Sequence, residues 1–143
     1  MLKLSPAAAW SPRDDLPPRE ILKQPTMPQF VLLRHRLPAD SARADHYDLM
    51  LEDGDSLLTW AIAALPGERP QVAEELPRHR MAYLTHEGPV SNNRGQVKRV
   101  AAGEFEWLQR ADGEWIVELN SAGLSGKLHL QRQDEKTWQL WLG

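Results

Sequence analysis

The chain contains no cysteine. That excludes disulfides, thiolate metal centres and cysteine nucleophiles together, so any metal would have to be held by imidazole and carboxylate groups. No apolar run is long enough for a signal-peptide core or a membrane span; residues 7–10 form the only apolar stretch near the start. With nothing arguing for export or a membrane, the chain reads as cytoplasmic. A basic surplus is missing too, since the formal net charge is −3. Proteins that grip duplex nucleic acid usually carry one, because phosphate neutralisation dominates their affinity. Any nucleic-acid contact must therefore be local, a few cations around a strand end, or be assisted by a partner. No internal repeat, phosphate-cradling glycine loop or Ser-His-Asp pattern is present.

What remains is one domain's worth of chain. A length of 143 residues with 41% hydrophobic and 26% charged side chains suffices for a single buried core and is wrong for a disordered protein. Phe and Tyr are scarce, two of each, against six Trp. Wide rings suit strand faces, so the bias leans towards β structure.

Residues 1–27 lack sustained periodicity, and Pro6, Pro12, Pro17, Pro18, Pro25 and Pro28 fall in or just after them. They read as a poorly ordered tail with room for a brief helix near 19–23, leaving 28–143 as the folded domain. From Gln29 on, the period is mostly two. Strands are expected at 30–36, 46–52 and 57–63, the last two joined by the hairpin turn Asp53-Gly54-Asp55. Residues 66–77 read as a connection with a helical turn around 72–76, and 81–85 as a short strand. Asn92-Asn93-Arg94-Gly95 is a turn cluster. Further strands follow at 97–100, 104–109, 115–120, 127–132 and 138–142, punctuated by Gly103, Asp112-Gly113 and residues 123–126. The fold class is mainly β: a small closed or nearly closed antiparallel barrel with short helical turns.

Among five histidines, His46 stands two residues from Asp48 on an expected strand, so both side chains emerge on one face. Val31, Leu33 and His35 share a face of the strand before it. If those strands are neighbours, His35 converges on His46 and Asp48. Two imidazoles and a carboxylate suit a divalent metal with open positions for water and substrate. The alternative is three polar residues on a solvated face. His86 and His129 carry no such constellation. Trp60, Trp107, Trp115 and Trp138 read as core, and Glu87 as a turn or supporting residue. Arg94, Lys98 and Arg99 form a small basic group, either solvated surface or a contact for a DNA backbone.

The run His46-Tyr47-Asp48-Leu49-Met50-Leu51-Glu52-Asp53-Gly54, with Leu58-Thr59-Trp60-Ala61-Ile62 after it, resembles the HYDFRLE…DG…L.SWA block of the bacterial DNA ligase D phosphoesterase domain. Phe30-Val31-Leu32-Leu33-Arg34-His35 is similar to that family's FV.QKH strand. His79-Arg80-Met81-Ala82-Tyr83 keeps the spacing of its H…Y element, and Glu87-Gly88-Pro89-Val90 with Gly95 resembles its EG.I…G segment. Leu124-Ser125-Gly126-Lys127-Leu128 and Trp138-Gln139-Leu140 look like its closing strands. The resemblance implies a β-barrel that binds Mn²⁺, or another divalent metal such as Zn²⁺. It implies removal of a terminal ribonucleoside and then a 3′-phosphate from DNA or RNA/DNA 3′ ends during end joining, alongside a repair ligase or polymerase. Carried over by position, His35, His46 and Asp48 match the metal ligands, while His79 and Tyr83 match residues around the scissile phosphate.

Three positions depart from the family pattern. Its arginine two places after the aspartate is Met50, its lysine after the WAV segment falls at or near Ala64, and its glutamine before the first histidine is Leu33. The connection from His35 to His46 is also longer. A cation placed where charge develops is worth a hundredfold or more in phosphoryl transfer. The sequence thus supports two readings: a metal-dependent 3′-phosphoesterase, or a catalytically weakened metal-binding accessory module. Arg34, Arg36, Arg43, Arg80 and Arg94 are the candidates to replace the lost cations.

Overall fold

Alternation along the first strands decides which side of the sheet becomes the core. In β1 (Gln29–Arg36), Phe30 and Leu32 point one way while Val31, Leu33 and His35 point the other. β2 (His46–Asp53) pairs with β1 antiparallel, setting Leu49 opposite Leu32 and His46 opposite His35. The computed structural model describes residues 27–143; the expected tail and its brief helix lie outside the described residues, Met27 excepted. The meander continues through β3 (Ser56–Ile62), β4 (Gln71–Arg80), a 3₁₀ turn at Met81–Leu84 and β5 (Gly88–Pro89). It ends with β6 (Gln96–Ala111), β7 (Glu114–Asn120), β8 (Gly126–Arg132) and β9 (Thr137–Leu142). The order β1-β2-β3-β4-β9-β8-β7-β6, closed by β1 pairing with β6, makes an eight-stranded antiparallel barrel. Closure leaves none of those eight strands with an open edge.

Two apolar layers result. Phe30, Leu32, Leu49, Leu51, Trp60, Ile62, Phe105 and Trp138 fill the barrel interior with residues from β7 to β9. Trp60 meets Trp138 and Trp115 edge-to-face, at centroid distances of 5.8 and 6.0 Å, so four of the six Trp serve the core as expected. On the outer face Val31, Leu33, Met50, Leu57, Val90 and Val97 form a second cluster, roofed by Met81, Tyr83 and Leu84 of the 3₁₀ turn. β1 and β2 are therefore buried on both faces through their middles, which is why Phe30–Leu33 and Leu49–Leu51 are unbroken apolar runs.

The structure corrects three expectations. Residues 71–80 form a strand, where a connection with a helical turn was expected. Ala73 sits between Ile62 and Trp138 in the ladder, and its small side chain leaves space for the indole. Pro77 is tolerated because it lies at an irregularity where Leu57 pairs with His79 but Thr59 with Leu76. Residues 81–84 form the 3₁₀ turn in place of a short strand, since Met81 and Leu84 face the outer cluster together at a spacing of three. The strands expected at 97–100 and 104–109 are one strand, β6, running through Gly103. That glycine marks a close approach: a Cβ there would lie 2.3 Å from the Asn120 carbonyl oxygen.

Candidate functional site

The β1–β2 register carries the sequence expectation into three dimensions. His35 lies directly opposite His46, and Leu33 opposite Asp48, so the three polar side chains gather on the outer face at one end of the apolar cluster. One ligand atom from each lies within 4.8 Å of the others. Asp48 is almost wholly buried, 3% exposed at its side chain, while His35 and His46 keep 15% and 10%.

Their hydrogen bonds fix which nitrogen does what. A backbone carbonyl can only accept, so His35 donates its Nε2–H to Arg94 O at 2.7 Å and His46 donates its Nδ1–H to Ala44 O at 3.0 Å. Each neutral ring then turns a lone pair inward. His35 Nδ1 faces Asp48 Oδ2 at 3.0 Å, and His46 Nε2 stands 3.1 Å from Asp48 Oδ1 without hydrogen-bond alignment. Asp48 Oδ1 is buried and has no hydrogen-bond partner among the described residues. Lone pairs converging from three sides repel unless a cation sits among them, either a proton or a metal ion. Backbone carbonyls anchoring the outer nitrogens are the usual support for metal-binding imidazoles. The donor set fits a divalent metal.

The electrostatics agree. Burial pushes the Asp48 carboxyl up, but the ring nitrogens of His35 and His46 beside its two oxygens, each a donor to the carboxylate when it carries a proton, overcome it and hold the group at about 2. The Asp48 carboxylate in turn raises His46 above the ordinary histidine value, against the opposing effect of burial. Arg43, on the connection between β1 and β2, acts against that rise and is itself bridged to Glu74 at 3.2 Å.

His79 and Tyr83 also come together, their rings edge-to-face at 5.4 Å. His79 closes β4 just past the Pro77 irregularity and donates its Nδ1–H to Pro77 O at 2.9 Å, leaving Nε2 open. Both line a pocket of about 340 Å³ with Leu76, Pro77, Arg78, Arg80 and Arg94. The pocket is distinct from the triad, and Arg94 joins the two: its carbonyl holds His35, and the residue lines the pocket with His79 and Tyr83. Sequence reasoning named Arg80 and Arg94 without placing them, and it missed Arg78. Arg78 donates to Asp53 and Ser56, and Arg94 to Ser91 O and Oγ. Arg80 makes no side-chain hydrogen bond among the described residues.

The positions that depart from the family pattern have structural occupations. Met50 is 1% exposed in the outer apolar cluster, with Val31, Leu33 and Leu57. Leu33 is wholly buried in the same cluster. Ala64 is exposed, its N–H and carbonyl both taken by the Gln71 side chain. Glu87 accepts the Arg99 N–H at 2.8 Å, a turn-supporting role.

The family model of the DNA ligase D 3′-phosphoesterase domain matches residues 39–138 of the 143. The chain belongs to this family. The matched span includes His46, Asp48, His79, Tyr83 and Arg94; His35 lies just upstream, so its membership of the site rests on the geometry above. No curated protein matches the chain.

Proposed function

We propose that this phosphoesterase-family domain is a metal-dependent enzyme that removes a 3′-phosphate or 3′-ribonucleoside from nucleic-acid ends. The observation that carries the reading is the arrangement of His35 and His46, outer N–H groups committed to backbone carbonyls and inner nitrogens converging with a partnerless buried Asp48 oxygen. A divalent ion such as Mn²⁺ or Zn²⁺ held by His35, His46 and Asp48 would polarise the phosphoryl group and acidify a bound water. The chain's own residues supply the rest. Arg80 and Arg94 provide positive charge in the pocket beside the triad, in place of the arginine that Met50 displaced. His79, with Nδ1–H committed to Pro77 O, can carry at Nε2 the proton for the leaving oxygen. Tyr83 can steady a phosphate oxygen. Membership of the family supports work on strand ends, alongside a repair ligase or polymerase.

The buried apolar setting of Met50 favours a second reading, a metal-binding accessory module with weakened catalysis. One experiment separates the two. Adding Mn²⁺ should raise the melting temperature by several degrees, since a ligand at a hundred times its Kd stabilises the native state by about 2.7 kcal/mol. It should also switch on phosphate release from a 3′-phosphorylated oligonucleotide. The double substitution His46→Ala/Asp48→Ala should abolish both effects. A melting shift that survives it places the metal elsewhere; a shift without phosphate release leaves the accessory module.

A further inference from the structure

We propose that the barrel rim formed by Arg34, Arg36 and Lys98 binds the phosphodiester backbone of the strand whose 3′ end enters the metal centre; the assignment rests on the function proposed above. Arg34 lies opposite Lys98 in the β1–β6 register, with Arg36 opposite Gln96 in the next row. Cross-strand partners share a face with their Cβ atoms about 5 Å apart, and like charges so placed repel. All three cations are exposed, and among the described residues none makes an ion pair or a side-chain hydrogen bond. Asp45, the carboxylate just ahead of β2, accepts the Leu37 N–H instead. The neighbouring Arg99 is set apart, its N–H donated to Glu87 and its guanidinium to Thr85 O. A like-charge pair left unneutralised on a chain of net charge −3 calls for an anion from outside.

The shape of the surface says what kind of anion. Arg34, Arg36, Gln96, Val97 and Lys98 line a cleft of about 370 Å³ with no carboxylate in its wall. Arg36 and Gln96 also border a larger cleft of about 690 Å³, whose far wall includes Asn93 and Gly95. Those residues flank Arg94, whose carbonyl holds His35. The two clefts share Arg36 and Gln96, so they link the cations to the turn whose Arg94 carbonyl holds His35. Arg34 and Arg36 are the chain neighbours of His35 but point to the opposite face of β1. One phosphate at the triad cannot also neutralise them. A ligand that reaches both is an extended polyanion, and beside a phosphoester centre that is a nucleic-acid strand.

The test uses the full chain without metal, a 5′-labelled single-stranded oligonucleotide and fluorescence anisotropy across a salt series. The triple substitution Arg34→Ala/Arg36→Ala/Lys98→Ala should weaken binding at least tenfold at low salt. Its log–log salt slope should flatten by about 2, the loss of three phosphate contacts on a single strand. With Mn²⁺ added, KM for a 3′-phosphorylated oligonucleotide should rise, while turnover of a mononucleoside 3′-phosphate and the metal-induced melting shift stay as in the parent. Strand binding and salt slope unchanged by the triple substitution would overturn the proposal, as would equal competition by polyglutamate. A parent protein that binds the strand through these cations yet releases no phosphate would leave the surface standing and remove the phosphoesterase reading instead.

Discussion

At the scale of single residues, the site turns on what surrounds each polar atom. Asp48 is buried between two imidazoles with one oxygen unpartnered, so its charge matters more than its shape. Asp48→Asn keeps the size and removes the charge. It should lower Mn²⁺ affinity at least tenfold in a calorimetric titration while leaving the far-UV spectrum of the barrel unchanged. Met50 is the converse case. It shares the β2 face with His46 and Asp48, as the two-residue period requires, but Val31, Leu33 and Leu57 enclose it. Met50→Arg would bury a guanidinium among apolar side chains. Denaturant unfolding should show a loss on the order of 3 kcal/mol or more, with no gain in phosphate release. The histidine–aspartate pair was legible because strand alternation alone fixes which side chains meet. The carbonyls of Ala44 and Arg94 were not, because any residue offers the same backbone group and only the fold brings it within reach of a ring nitrogen.

At the scale of elements, the turn after β5 does what the sequence led one to expect of a turn and something more. Asn92 and Asn93 adopt left-handed conformations, at φ of 63° and 54°, and Gly95 follows at 91°. Gly95 also packs on β1, where a Cβ would lie 2.0 Å from Arg36 O. The turn is thus pinned against the end of the strand that carries His35, and this pinning aims Arg94 O at the ring. Gly95→Ala should therefore weaken Mn²⁺ binding although residue 95 touches no ligand. A metal-induced melting shift equal to that of the parent would show that the turn does not hold the ring. Arg94→Ala is the control, since it keeps the carbonyl and should preserve the shift. Asn-Asn-Arg-Gly was readable as a turn from residue type. β4 was not readable as a strand, because its inward positions are Ala73 and Glu75, chosen for the space and hydrogen bond that Trp138 needs. The demand lies in a residue more than sixty positions away, and no local pattern reports it.

At the scale of the whole molecule, pH should act on the carboxylates Asp48 and Asp53 and on the His46 imidazole in opposite directions. Asp53 closes the end away from the metal centre. Its carboxylate takes both Arg110 donors, at 3.0 and 3.2 Å, and an Arg78 donor at 2.8 Å, tying together β2, β4 and β6, no two of which are neighbours in the barrel. Arg110 first and Arg78 second hold Asp53 below the ordinary carboxylate value, and His35 and His46 do the same for Asp48. Both groups therefore contribute stability that is present above the unfolded value of 3.8 and lost as pH falls through their lower folded values. His46 runs the other way. Its folded pKa lies above 6.5, so its contribution is full below 6.5 and is lost as pH rises through the folded value. Without metal, the melting temperature should fall steeply below about pH 4 and decline mildly as pH rises beyond 6.5 through the folded value of His46. Metal must displace the proton that His46 favours, so the increment from Mn²⁺ should grow across the same range in which the metal-free protein loses ground. Melting curves from pH 5 to 8, with and without Mn²⁺, would show two lines diverging as pH rises. Parallel lines would mean that His46 gives up no proton to the metal and is not one of its ligands.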